Sequence, residues 1–252
     1  MKVNSIIAVV ILTLFSFCAC TQEQEVEVQA SRMLSIKVDQ GGIMTRATLD
    51  GLNTTFTEGD EIGIIVVDAN NILYHEPCSY DGNEWFAFIP CNPKFDNYKY
   101  FAYYPYNYDL DTSKLILSAS TATEFFSNYI SDFVPQTDQS TLENYMASDL
   151  MTSLGTYDSS TGTVSFKMDH EMGLAIFNVV LETGEPLSGA DSSTIFNVGS
   201  ILPYMMPDSY YLIVHPDNPV DVYLGIDDQQ APTSIRVAKG KYTNYTKYSS
   251  GV

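Results

Sequence analysis

Residues 149–182 read DLMTSLGTYDSSTGTVSFKMDHEMGLAIFNVVLE, and this stretch decides the fold class. From Val164 to His170, mostly apolar residues alternate with polar ones, which is the period of a strand with one buried face. After a short break, Leu174–Leu181 is almost wholly apolar, which is typical of a strand covered on both faces. We therefore predict two strands joined by a corner that carries His170.

Further motifs lie in a fixed order around this stretch. They are Thr45-Arg46-Ala47, Phe56-Thr57-Glu58-Gly59-Asp60, Tyr100-Phe101-Ala102-Tyr103-Tyr104, Asp149-Leu150-Met151 and His170-x-Met172-x-x-Ala175. Their order resembles that of the fimbrillin family, the type V pilus subunits of gut and oral anaerobes. The resemblance implies an all-β protein with two tandem transthyretin-like β-sandwich domains. It also implies structural roles for Gly59, Asp60, Asp149, Leu150, Met151 and His170.

The N-terminus has the pattern of a lipoprotein leader. Residues 1–19 combine a basic start with an apolar run too short to span a bilayer, which indicates a signal peptide. Ala19 precedes Cys20, so we expect lipidation (palmitate) at Cys20 and an anchor in the outer membrane, exposed at the cell surface. An ordinary secretory leader is the alternative. Residues 20–32 are polar and acidic, and we interpret them as a flexible tether.

Two domains are expected after the tether, at 33–182 and 183–252, because residues 183–189 have turn chemistry. The first strand is predicted at 34–39. By resemblance to type V pilins, an Arg-specific protease cuts between Arg46 and Ala47, frees that strand and opens a groove. A strand of another fimbrial subunit then fills the groove by donor-strand insertion, which is a form of β-augmentation. The alternative is an ordinary surface arginine.

Alternating patterns predict the other strands, with Gly63 at a position where a neighbour approaches closely. They lie at 62–67, 74–80, 85–89, 98–104, 195–202, 210–215, 220–226 and 233–238. The long connection at residues 118–148 is expected to be either functional or partly helical. Lys239-Gly240-Lys241-Tyr242 resembles the family's turn before the last strand. The polar residues that follow predict a weak last strand, and this argues against a donor role for it.

Charge and cysteine content restrict the partners. The net charge of −19 repels phosphate backbones, so we expect no nucleic-acid partner. Cys78 and Cys91 flank a turn near Gly82, and the sequence leaves open whether they form a disulfide or are two buried thiols.

No catalytic or metal-binding motif stands out, and we expect no enzyme activity, no cofactor and no metal. His170 lies between Asp169 and Glu171, but neighbours on a strand point to opposite faces, so we expect a buried histidine that bonds to backbone. Asp149 is expected to pair locally. We predict a fimbrial (pilus) subunit or adhesin-like cell-adhesion lipoprotein. The alternative is a monomeric surface protein that binds host or bacterial glycans or proteins through aromatics such as Trp85 or Tyr106.

Overall fold

The structure is a computed structural model that describes residues 33–40, 56–90, 97–181, 201–207, 209–222 and 233–249. The predicted leader, Cys20, Arg46, Ala47 and Cys91 lie outside the described residues, and their roles stay predictions. None of the helices in the described ranges has the length and hydropathy that a bilayer-spanning helix requires.

Strands are the main regular secondary structure of the described chain, as the sequence predicts. They are β1 (Ser35–Gln40), β2 (Glu61–Val67), β3 (Ile72–Tyr80), β4 (Trp85–Ala87), β5 (Lys99–Tyr104), β6 (Met151–Leu154), β7 (Thr156–Asp158), β8 (Thr163–His170), β9 (Gly173–Leu181), β10 (Tyr204–Met206), β11 (Ser209–Val214), β12 (Val220–Val222), β13 (Thr233–Ile235) and β14 (Tyr242–Ser249). The predicted first strand, the 74–89 hairpin and both strands around the corner are confirmed. The short strands β6, β7 and β10 carry too little alternation to be predicted.

The first eight strands form one sheet in the order β1-β4-β3-β2-β5-β6-β8-β7. The sheet closes on itself because β1 also pairs with β8, in parallel, from Ser35 opposite Thr163 to Gln40 opposite Met168. The result is barrel-like. A sandwich and a barrel share the same alternating pattern, so the sequence alone could not show this closure.

The barrel interior is filled by alternate side chains of its strands. On β8, Val164, Phe166 and Met168 are buried and the intervening residues are exposed, apart from the first residue of the strand, so the predicted alternation is confirmed. Gly63 on β2 lies under the ring of Tyr103, and a Cβ there would come 2.1 Å from its Cε1. This is the close approach that the sequence predicts for Gly63.

Residues 105–148 form a long excursion between β5 and β6 that covers the outer face of the barrel. It contains the short helices α1 (Ala122–Phe125), α2 (Ser127–Asp132) and α3 (Leu142–Ala147). Phe101 of β5 stacks on Phe125 with ring centroids 3.8 Å apart, and both rings are fully buried. The outer faces of β2 and β5 are therefore core positions, which explains why their sequences are apolar on both faces.

The chain changes sheets at the corner after β8. β9 lies in a second sheet of order β10-β11-β9-β14, and β12 pairs with β13 in a small third sheet. Leu174 and Ile176 pack in one buried cluster and Ala175 and Phe177 in another, which confirms that β9 is covered on both faces. The chain passes from the first sheet to the second between His170 and Gly173, before the predicted domain boundary at 182/183. The division into two domains stays a prediction.

The expectation of a weak last strand is wrong for residues 242–249. β14 pairs in parallel with β9 along its whole length, from Tyr242 opposite Leu174 to Ser249 opposite Leu181. Tyr245 stacks on Phe177 with ring centroids 5.4 Å apart. A neighbouring strand supplies the backbone partners and the apolar surface that the polar sequence of β14 does not reveal.

Candidate functional site

β1 is the closing strand of the barrel, and two of its side chains, together with that of the residue before the strand, point into the core. Leu34, just before it, is 4% exposed, Ile36 is 6% exposed, and Val38 packs against the same cluster partly buried. Ser35, Lys37 and Asp39 face solvent. Burying an aliphatic side chain of this size contributes about 1.5–3 kcal/mol. The position under β1 is therefore a strand-shaped apolar groove, which we call the β1 groove.

The two sides of β1 are held unequally. Its ladder with β8 covers the whole strand. Within the described residues, its ladder with β4 consists of one pair, Ile36 opposite Trp85. Before the strand, the backbone N–H of Leu34 donates to the carbonyl of Ile89 at 2.9 Å. β4 begins at Trp85 after a tight turn, so no strand lies opposite Lys37–Gln40 on that side in the described part of the chain.

A cleft of about 590 Å³ opens beside this half of β1. Aromatic residues form one wall: Trp85 stacks on Tyr80 at 5.0 Å and meets Phe56 edge-on at 4.9 Å. Lys37, Asp39, Asn83 and Glu84 also line the cleft. Trp85 is half-buried and packs against the barrel core.

The Gly59-Asp60 motif forms the tight turn that leads into β2. Gly59 adopts φ +96°, a left-handed conformation that favours glycine. The carboxylate of Asp60 accepts the backbone N–H of Thr57 at 2.6 Å and the hydroxyl of Tyr104 at 3.3 Å. The turn is thereby tied to the end of β5.

His170 and Asp149 form a buried pair at the corner, which confirms the predicted burial of His170 and corrects the prediction that Asp149 pairs locally. Nδ1 of His170 donates to Oδ2 of Asp149 at 2.8 Å, and each side chain is 4% exposed. His170 therefore bonds to a carboxylate rather than to backbone alone, and Asp149 pairs with a residue 21 positions away rather than locally. The register of β6 with β8, Met151 opposite His170, brings the two motifs together.

Glu171 is the least accessible charge of the corner, and sequence analysis did not single it out as a functional residue. Its side chain is fully buried, and Oε1 accepts hydroxyls of Thr152 at 2.6 Å and Thr123 at 3.0 Å. Nζ of Lys239 lies 2.5 Å from Oε2. Because Oε2 accepts no well-directed hydrogen bond from any described group, this contact is an ion pair held by charge attraction. Asp169 points away and is exposed.

Lys239 also anchors the turn before β14. Its Nζ donates to Oγ1 of Thr123 at 2.5 Å, and the backbone N–H of Gly240 donates to the carbonyl of Met172 at 2.9 Å. Gly240 adopts φ +59°, and a Cβ there would come 3.4 Å from the carbonyl oxygen of His170. The Lys-Gly turn thus docks on the corner, which gives this motif a physical role that its sequence does not disclose.

Of the remaining predicted candidates, Tyr106 lies apart from the groove, whereas Cys78 belongs to the same core cluster as Leu34 and Ile36. Tyr106 packs on the outer face near His75, with ring centroids 5.8 Å apart. Cys78 is a buried free thiol whose pKa is raised by burial to about 12. The structure therefore has Cys78 as a thiol rather than in a disulfide, and the state of Cys91, which is outside the described residues, stays a prediction. No group of three or more metal-ligating side chains is found within the described ranges.

The corner and the Lys-Gly turn bring together motifs that resemble the fimbrillin family, and comparison with known families agrees. The fimbrillin-like family matches residues 45–201, so the chain belongs to this family. It is a family of fimbrial and cell-adhesion proteins, in general without enzymatic activity, and its members are associated with cell-surface appendages.

One curated relative and two solved structures are similar to the chain. The chain is 31% identical over 139 residues to a candidate fimbrium tip subunit, Fim1C, of Bacteroides ovatus; this match covers 52% of the chain and 25% of Fim1C. A solved fimbrial protein from Bacteroides ovatus has a TM-score of 0.68 at 24% identity, over 87% of this chain and 50% of that protein. A candidate cell adhesion protein from Bacteroides uniformis has a TM-score of 0.49 at 15% identity, over 86% and 92%. The chain thus spans a quarter to a half of the first two relatives.

Proposed function

We propose that the chain is a non-enzymatic fimbrial subunit or adhesin-like lipoprotein that assembles by strand exchange, within a two-domain arrangement of the family type. Cleavage after Arg46 frees β1, and a strand from another subunit takes its place in the β1 groove. The observation that carries the proposal is the position of β1. With the aliphatic side chains of Ile36, Val38 and the preceding Leu34 it closes the barrel, yet within the described residues its ladder with β4 consists of the single pair Ile36–Trp85.

The energetics favour replacement over an empty groove. Loss of β1 would expose the apolar groove and leave β8 with unpaired N–H and C=O groups, which are a template for another strand. A neighbour with aliphatic residues at alternate positions restores both the burial and the backbone hydrogen bonds. Cleavage removes the covalent link that otherwise makes β1 the favoured occupant.

Limited trypsin treatment of the folded mature protein tests the proposal, followed by intact mass and size-exclusion chromatography. We expect a cut after Arg46 and loss of β1, and oligomers once a donor subunit is present. Arg46→Gln is the matched control, since it removes the cut and leaves β1 intact. Resistance of the native protein at Arg46 would remove the main support for strand exchange.

Anchoring belongs to the same proposal. Lipidation at Cys20 would hold the subunit at the outer membrane until, or while, it joins a fimbrium. The variant Cys20→Ser is expected to lose membrane fractionation and acyl labelling, whereas Cys18→Ser, two residues earlier, is expected to keep both. Equal behaviour of the two variants would contradict a lipid anchor at Cys20.

A second candidate function is binding of a glycan or protein by the unprocessed monomer. The cleft beside β1 favours it, because aromatic faces and polar side chains line the same 590 Å³ space. A glycan array probed with the uncut protein and with Tyr80→Ala would test it. Binding that depends on Tyr80 would support this function, and no binding by the uncut protein would argue against it.

A further inference from the structure

Two strands of the described chain pair in parallel with a partner far away in sequence. β1 pairs with β8 in the first sheet, and β14 pairs with β9 in the second. In an assembly by strand exchange, either could in principle be the strand that moves between subunits. The two strands differ in their side-chain pattern and in the contacts that hold each of them in place.

The β1 groove selects for small aliphatic side chains at alternate positions. Leu34, Ile36 and Val38 occupy it, and the pocket around Ile36 is walled by buried barrel residues. Cores of this density reject both added volume and polar atoms without partners. A strand that fits must therefore repeat an aliphatic-x-aliphatic-x-aliphatic pattern.

β14 does not have this pattern in either register. One set of alternate positions holds Tyr242, Asn244 and Thr246, and the other holds Thr243, Tyr245 and Lys247. Each set would place at least one polar group and one tyrosine where β1 has an aliphatic residue. Inserting β14 into the groove of a second copy would bury unpaired polar groups and overpack the barrel.

β14 is also fastened to its own subunit at its start. Lys239 reaches the buried carboxylate of Glu171, and the backbone N–H of Leu174 donates to the carbonyl of Lys241 at 2.9 Å. Withdrawal of the turn would leave Glu171 buried with two hydroxyl donors and no cation, an arrangement that is strongly unfavourable. We call this ion pair the β14 latch.

We propose that the β1 groove takes an aliphatic strand from a chain other than a second copy's β14, because β14 has the wrong pattern and is latched in place. This inference rests on the proposed strand exchange and adds the chemistry of the partner strand. It assigns β1 as the exchangeable strand and β14 as a permanent part of the subunit.

Peptide exchange tests the pattern. In the mature chain, residues 44–49 are replaced by the recognition sequence of a site-specific protease, so cleavage does not depend on Arg46. The cut protein is mixed with excess fluorescent peptide of sequence 33–40 or 242–249, and incorporation is measured by native mass and polarisation. We expect the 33–40 peptide to enter and the 242–249 peptide to enter at least tenfold less.

Two altered peptides sharpen the comparison. The 33–40 peptide with Ile36→Asp is expected to be excluded, and the 242–249 peptide with Tyr242→Leu, Asn244→Ile and Thr246→Val is expected to enter. Entry of the unaltered 242–249 peptide as readily as 33–40 would overturn this inference while leaving strand exchange intact. Failure of both the 33–40 peptide and the aliphatic 242–249 peptide would overturn the proposed function itself.

Hydrogen exchange in the uncut protein tests the latch separately. Lys239→Met is expected to speed amide exchange in 242–249 at least tenfold, with β2 and β5 unchanged. Lys241→Met, two residues later and without an ion pair among the described contacts, is the matched control and is expected to change exchange less than twofold. Unchanged exchange of β14 in Lys239→Met would overturn the latch.

Discussion

Removal of Lys239 should be more costly than removal of its partner Glu171, although both substitutions break one ion pair. Glu171 is fully buried, whereas the side chain of Lys239 is 39% exposed. Breaking a fully buried pair costs about 3–5 kcal/mol, and an exposed pair contributes about 1 kcal/mol or less. Lys239→Met leaves an uncompensated carboxylate inside the protein. Because one partner is buried and the other is partly exposed, we expect it to lower the free energy of unfolding by about 2 kcal/mol, between the two limits.

Glu171→Gln should cost about 1 kcal/mol, since water can solvate the released ammonium group of Lys239 and the amide still accepts from the two threonines. In the double variant the amide no longer needs a cation. The two costs should therefore not add, and the coupling energy should be about 1 kcal/mol or more.

Urea unfolding of wild type, both single variants and the double variant measures these free energies. Lys241→Met provides the baseline for loss of a lysine on the same turn and should cost less than about 0.5 kcal/mol. The reasoning would be refuted if Lys239→Met were as mild as Lys241→Met, or if the two single costs added in the double variant.

Three further predictions follow from the barrel. Gly63→Ala should destabilise by at least about 1–3 kcal/mol in urea unfolding, because its Cβ meets the ring of Tyr103, and a compensating Tyr103→Phe should recover little since the ring itself clashes. Burial lowers the pKa of His75, so the stability that neutral His75 contributes is present above the unfolded pKa of about 6.5 and is lost as the pH falls through the folded pKa. His75→Gln should therefore flatten that part of the pH dependence of the free energy of unfolding. An unchanged pH dependence would contradict this prediction. Cys78, with its pKa raised to about 12, should be alkylated at pH 8 at least tenfold more slowly in the folded than in the unfolded protein, by peptide mass mapping; equal rates would show that the thiol is not buried.

Local hydrophobic patterns predicted the strands that have one buried face and those that have two. β8 could be predicted from its alternation and β9 from its continuous apolar run, because each pattern is a property of one stretch of sequence. The need for glycine at position 63 was also visible, since a glycine inside an apolar strand signals close approach. These features depend on neighbours in sequence or on burial alone.

Pairings between residues far apart in the sequence could not be predicted from local patterns. Ser35 and Thr163 are opposite each other in the closing ladder, yet no local signal links residues so far apart in sequence. β14 was underestimated because its stability comes from β9 rather than from its own composition. The Asp149–His170 and Glu171–Lys239 pairs depend on the same tertiary closure, although all four residues lie in or beside motifs that sequence analysis had marked.

The central claim is that β1 is an exchangeable strand that closes the barrel, and amide protection of β8 tests it most directly. Hydrogen exchange across Thr163–His170 is compared in the intact protein, after cleavage and removal of β1, and after addition of the 33–40 peptide. Protection of β8 is expected to fall on removal of β1 and to return with the peptide, while β2 and β5 stay protected. Protection of β8 that persists without β1, or loss of protection throughout the barrel, would contradict it.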